Sequence, residues 1–64
     1  KETQRTIARA VDRLPRRCRQ VFMLSREQGM RYNNIADTLG ISVNTVENHI
    51  SLALARLRQA LLVA

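Results

Sequence analysis

The stretch NIADTLGISVNTVENHI, Asn34 to Ile50, sets the strongest limit on how this chain can fold. Two helical patterns meet there with only Gly40-Ile41-Ser42 between them. Before the turn, Ile35, Ala36 and Leu39 make an apolar stripe at helical spacing, and Gly40 follows it as helix-ending glycines do. After it, Ser42 is placed as an N-cap, its hydroxyl able to accept from an orphan N–H of the next first turn. Val46, Ile50, Ala53, Leu54, Leu57 and Leu61 then recur at helical spacing and predict a long buried stripe. A short turn containing glycine between two helices is the helix-turn-helix signature. An ordinary helical hairpin shares that turn, so the outward face of the second helix has to decide between them.

At about 100° per residue, the six apolar residues fall within about 80° of Val46. The opposite pole holds Asn44, Asn48, Ser51, Leu52 and Ala55, with Thr45 and Glu47 on the flanks. A merely solvated face more often carries Lys and Glu. Short polar side chains suit the major groove: Asn pairs bidentately with adenine, Glu accepts from cytosine N4, Ser serves either way, and apolar groups meet the thymine methyl. Residues at the N-terminal end of a recognition helix are the ones that reach base edges. Asn44, Glu47, Asn48 and Ser51 are therefore the base-reading candidates. Each taken alone reads equally as a solvated polar residue, Glu47 more so than the others, and Glu47 can instead screen its surroundings or orient His49.

Phosphate contacts supply most of the affinity in such an interface. The backbone candidates are Arg31, Tyr32 and Asn33 at the start of the third helix, whose N–H groups and positive dipole end suit a phosphate. Thr45 and His49 flank the reading face, and Arg56 lies further along. Arg16, Arg17 and Arg19 form a second basic group, open to reading as backbone contacts or as a solvated face.

The rest of the chain completes an all-α pattern, since no stretch alternates with the period of a strand. A first helix is predicted from Glu2 to Arg13, burying Ile7, Val11 and Leu14 and presenting Arg5, Arg9 and Arg13 elsewhere. A second is predicted from Pro15 to Gln28, with Pro15 in its first turn and Gly29 after its end. Its inward residues are Cys18, Val21, Phe22 and Leu24, with Met23 near the surface. The third runs from Tyr32 to Leu39, and the fourth from Ser42 or Val43 to about Leu62. The expectation is a small four-helix domain over 1–64, with a C-terminal helix-turn-helix over about 32–62 and no wing. Neither end carries a clear cap, so the chain reads as a fragment of a longer one.

Composition narrows the partner. Eleven Lys and Arg, all arginine except Lys1, face five Asp and Glu, giving a net charge of +6. That balance points to a polyanion: nucleic acid, a membrane surface or an acidic protein. No apolar run approaches the ~18 residues of a membrane span, and the start KETQR is no signal peptide. The single cysteine, Cys18, sits in an apolar pattern and reads as a small core residue, which fits a reduced, cytoplasmic setting. His49 has no ligand set around it, so no metal is expected. No nucleophile–base set, phosphate loop or paired carboxylate appears, so neither catalytic residues nor a cofactor nor a small-molecule substrate is expected.

Leu14-Pro15, Arg19, Val21-Phe22 with Leu24, Gly29, Ile35-Ala36, Leu39-Gly40-Ile41-Ser42 and Thr45-Val46 together resemble region 4 of sigma-70 family factors, in particular the ECF (extracytoplasmic function) group. The likeness covers about Leu14 to Leu62, and SVNTVENHI looks most like Bacteroidetes members. The resemblance implies a four-helix domain that reads the −35 promoter element in the major groove and docks on the β flap of core RNA polymerase to direct transcription initiation; many relatives are held by a membrane-linked anti-sigma factor. It also implies a region 2 elsewhere, for the −10 element. Carried over by position, the family's base and backbone contacts fall on Asn44, Thr45, Glu47, Asn48, Ser51 and Leu52, which adds Leu52 to the base-reading set. Relatives often have basic residues at the positions of Glu47, His49 or Leu52, so this helix is expected to make fewer phosphate contacts. The position of Asn34 is often Glu in relatives, and losing that acid favours a nearby phosphate.

Two other readings compete. A LuxR-type output domain of a response regulator shares the turn, the Thr-Val pair and a similarly spaced His, but ends its recognition helix sooner and usually dimerises. A protein-interaction module without DNA binding would use Leu57, Leu61 and Leu62 with Met23 as an apolar partner surface.

Overall fold

The computed structural model describes residues 2–63 and contains four helices in the order α1 (Glu2–Asp12), α2 (Arg16–Arg26), α3 (Tyr32–Leu39) and α4 (Val43–Val63). No strand occurs among the described residues. α4 packs against all three other helices and is the spine of the domain. Its 21 residues span roughly 31 Å at 1.5 Å each, close to the 35 Å longest extent of the molecule.

The core lies where α2, α3 and α4 converge. Leu14 from the α1–α2 turn, Cys18, Val21 and Phe22 from α2, Ile35 and Ala36 from α3, and Val46, Ile50 and Ala53 from α4 are all buried. Val11, Leu24, Leu39, Ile41, Val43 and Leu57 pack half-buried around them. α1 contributes no fully buried residue, and Ile7 and Val11 are half-buried, so its face is a cover for α4 more than a part of the core.

α1 ends one residue before the expected Arg13, α4 reaches Val63, and α2 is shorter than expected by one residue at its start and two at its end. Pro15 is the N-cap of α2, extended at φ −52° and ψ 148°, and not its first helical residue. Past Arg26, Glu27 N–H still makes the helical bond to the Met23 carbonyl at 2.8 Å, but Gln28 N–H also falls on that carbonyl, at 3.4 Å, and the helical pattern ends. Gly29 then takes a positive φ of 65° and Met30 N–H closes onto the Leu24 carbonyl at 3.1 Å. The C-terminal end of α1 is closed by a side chain from the next helix: Arg19 Nη1 donates to the Asp12 carbonyl at 3.1 Å. A cation there also meets the negative end of the α1 dipole. Arg19 thus has a structural task as well, while it still lines one surface dent with Arg16.

A larger correction concerns the α4 stripe. Leu54 and Leu61, expected inward, are 36% and 46% exposed. α4 extends beyond the helices that could cover its last turns. Leu54 sits on the edge of the stripe, above a gap between α1 and α2 that no side chain fills.

Candidate nucleic-acid interface

The turn between α3 and α4 is held by its own backbone. Gly40 adopts the left-handed conformation, φ 67° and ψ 36°, and its N–H and that of Ile41 both return to the Ala36 carbonyl. This closes the α3 carbonyls that a helix end leaves open. Ile41 and Val43 turn inward onto the core, which fixes the angle at which α4 leaves the turn. Ser42 then caps α4: its Oγ accepts from Thr45 N–H at 3.0 Å and shares a second hydrogen bond with Thr45 Oγ1 at 3.0 Å. The hydroxyl of Thr45 is thus engaged within the protein.

With the turn closed, the first turns of α4 project one face outward. Asn44, Glu47, Asn48 and Ser51 are all exposed, and Leu52 is 40% exposed beside them. Buried Val46 and Ile50 anchor the opposite side of the same turns. His49 is half-buried on the flank, and its main chain is anchored too, because Cys18 Sγ donates to the His49 carbonyl at 3.2 Å. The first two turns of α4 are therefore tied to α2 through Cys18 and to α3 through the Gly40 turn.

The start of α3 lies on the other side of that turn. Its N-cap is Arg31, extended at φ −74° and ψ 153°, and no side chain caps it. The first-turn N–H groups of α3 are left to solvent or a ligand, in contrast to the capped start of α4. Arg31 and Asn33 are exposed, whereas Tyr32 is half-buried with its ring packed on the core. The sequence grouped these three as equals; the structure makes Tyr32 mainly a packing residue. Arg56 stands apart from this cluster. It follows Asn44 by 12 positions, roughly 18 Å along the helix, and lines a separate groove with Arg9 and Arg13.

A second surface escaped the sequence reading in this form. An apolar groove of about 650 Å3 lies between α1, α2 and α4, floored by Ile7, Val11, Phe22, Met23, Leu54 and Leu57. Arg26 borders it, its guanidinium 5.8 Å from the centre of the Phe22 ring. Met23 and Leu57 were expected on an apolar partner surface and do line it, but Leu61 and Leu62 lie beyond it on the free end of α4. The signal that could have found the groove was Leu54, whose place at the rim of the stripe marks where packing stops.

Among the described residues no three His, Cys, Asp or Glu side chains converge as metal ligands. Among those residues no helix is long and apolar enough to cross a membrane.

The family model described as "Sigma-70, region 4" matches residues 4–57. The chain belongs to the sigma-70 region 4 family. Neither a curated protein nor a solved structure matches it. In sigma factors this region binds the −35 promoter element and core RNA polymerase, and it is a DNA-binding domain, not a catalytic one. The match begins ten residues before Leu14, where the sequence resemblance started, and so takes in most of α1. Membership of the sigma-70 region 4 family also separates the chain from the response-regulator reading, as does the unbroken α4 from Val43 to Val63.

Proposed function

We propose that this chain is the promoter-reading and polymerase-docking domain of an ECF-type sigma factor, acting in the cytoplasm. The observation that carries the reading is the row Asn44, Glu47, Asn48 and Ser51, exposed on the first turns of a helix whose opposite side is anchored in the core. In this reading those four residues and Leu52 meet base edges of the −35 element in the major groove. Arg31, Asn33 and the uncapped N–H groups of α3 hold one phosphate strand, with the hydroxyls of Tyr32 and Thr45 at its margin. His49 lies on the flank toward the backbone, and Arg56 reaches phosphate only where the duplex runs along α4.

The apolar groove serves core RNA polymerase, through the β flap. It is concave and apolar, and its α4 lining is Leu54 and Leu57, beyond the exposed row of the first turns. An anti-sigma factor that covers the same groove would then compete with polymerase and leave the reading face free.

The test is selection of a random duplex library at low salt, with this domain fused to a sigma region 2 and bound to core polymerase. A short motif enriched at −35 spacing is the expected result. No motif with polymerase binding intact would reduce the domain to a docking module. A palindromic site bound by the domain alone, without polymerase binding, would overturn the reading.

A further inference from the structure

A third surface lies outside the reading face and combines arginines with small apolar side chains. A groove of about 490 Å3 runs between α1 and the C-terminal half of α4. Arg9 and Arg13 stand on its α1 side and Arg56 on its α4 side, above a floor of Ala10 and Ala60, with Val63 at one end. Arg9 and Arg13 are four residues apart and share one face of α1. No acidic side chain lines the groove. The two arginine hydrogen bonds among the described residues belong to Arg17 and Arg19, so among those residues none of these three guanidiniums has a hydrogen-bond partner. Three like charges around one concavity repel each other, and a ligand of opposite charge removes that repulsion.

The shape of the groove decides which anion fits. Its floor is made of two half-buried alanines, which keep it low between the helices. Its volume lies in the roughly 300–1,000 Å3 range of small-ligand pockets, room for a few side chains of a partner and not for a duplex. A duplex presents convex phosphate ridges and meets exposed arginines without entering such a slot. The groove also begins roughly 18 Å along α4 from Asn44, more than twice the ~8.5 Å depth of the major groove. A straight helix inserted by its first turns carries this end away from the bases. A peptide, by contrast, brings carboxylates that guanidinium groups hold bidentately and small apolar side chains that rest on alanine.

We propose that this groove docks an acidic segment of a protein partner, its carboxylates held by Arg9, Arg13 and Arg56 and its apolar side chains seated on Ala10, Ala60 and Val63. The partner is distinct in chemistry from the apolar element that fits the α1–α2–α4 groove. Both could be bound while α4 reads DNA.

The probe is a fluorescein-labelled peptide of repeated Asp-Glu-Leu, with a matched Asn-Gln-Leu peptide as control, titrated against the 64-residue chain at physiological salt. Saturable binding of the acidic peptide alone is expected, with amide shifts centred on Ala10 and Ala60. The double variant Arg9→Ala/Arg13→Ala changes exposed residues outside the core. It should weaken the peptide by about tenfold or more, the scale of losing one or two charged hydrogen bonds. Duplex binding should stay within about twofold, since charges beyond a Debye length of ~8 Å are largely screened. Ala60→Phe fills the floor without changing charge and should also remove peptide binding, with helicity checked by circular dichroism. Absence of saturable binding overturns the proposal. So do shifts centred on Asn44 and Asn48, which would mean general attraction of polyanions, and an equal loss of peptide and duplex in the arginine variant, which would make these residues phosphate contacts. Retained affinity in a folded Ala60→Phe variant overturns it as well. The duplex readout is separate, so failure here leaves the promoter reading standing.

Discussion

The thiol of Cys18, fully buried in α2, donates to the carbonyl oxygen of His49 in α4 at 3.2 Å. That contact joins the core to the second turn of the candidate reading helix. Cys18→Ala removes the donor and opens a small cavity, which should cost about 1–3 kcal/mol in urea unfolding. Burial also raises the thiol pKa above its ordinary 9.0, with the Arg56 charge pulling weakly the other way. The folded state then holds this proton more tightly than the unfolded chain. Stability from the group is full below pH 9 and falls as the pH rises beyond it. Unfolding curves between pH 8 and 11 should show that decline in the native protein and a shallower one in Cys18→Ala. Parallel declines would assign the effect to other groups.

Gly40 should be replaceable only at the expense of the turn. A Cβ there meets no atom within 4 Å, so space is not the obstacle. The positive φ of 67° is, since a left-handed L-residue costs roughly 1–2 kcal/mol. Gly40→Ala should lower Tm by about 4–8 °C per kcal/mol in a domain of this size. Gly40→Asn should recover part of the loss. An unchanged Tm would show that the turn tolerates another conformation.

Ser42→Ala tests the cap alone. It removes the acceptor for Thr45 N–H and the partner of the Thr45 hydroxyl. The expected loss is about 1 kcal/mol. Thermal unfolding checks it, and Ser42→Asp should restore most of the stability by capping the same N–H.

Asn48 and Arg31 should fail in different ways. Asn48→Ala is expected to weaken the selected site by about 1–3 kcal/mol while leaving random duplex nearly unchanged. Arg31→Ala should weaken both alike and reduce the salt slope by about one. Titrations of both duplexes at several salt concentrations separate the two. An equal loss for Asn48→Ala on both duplexes would remove it from the base-reading set.

Leu54→Gln probes the apolar groove without altering charge or the core. It should weaken core polymerase binding by severalfold in a pull-down and leave duplex affinity within about twofold. The reverse pattern would move polymerase docking to another face.

The amino-acid sequence by itself determined the local structure. Gly40, Ser42 and the spacing of Ile35, Ala36, Val46 and Ile50 specify two helices and the turn between them, because caps and periodicity act over a few residues. The same local logic reached the exposed row Asn44, Glu47, Asn48 and Ser51, since an inward stripe implies an outward one. Tertiary packing decided what periodicity treats as equivalent. Leu54 and Leu61 share the stripe of Ile50 and Leu57, yet only the position of α1 and α2 determines which of them find a neighbour. Likewise Arg19 and Arg56 look like other surface arginines in the sequence. One closes the end of α1 and the other faces Arg9 and Arg13 across a groove, because helices distant along the chain meet there.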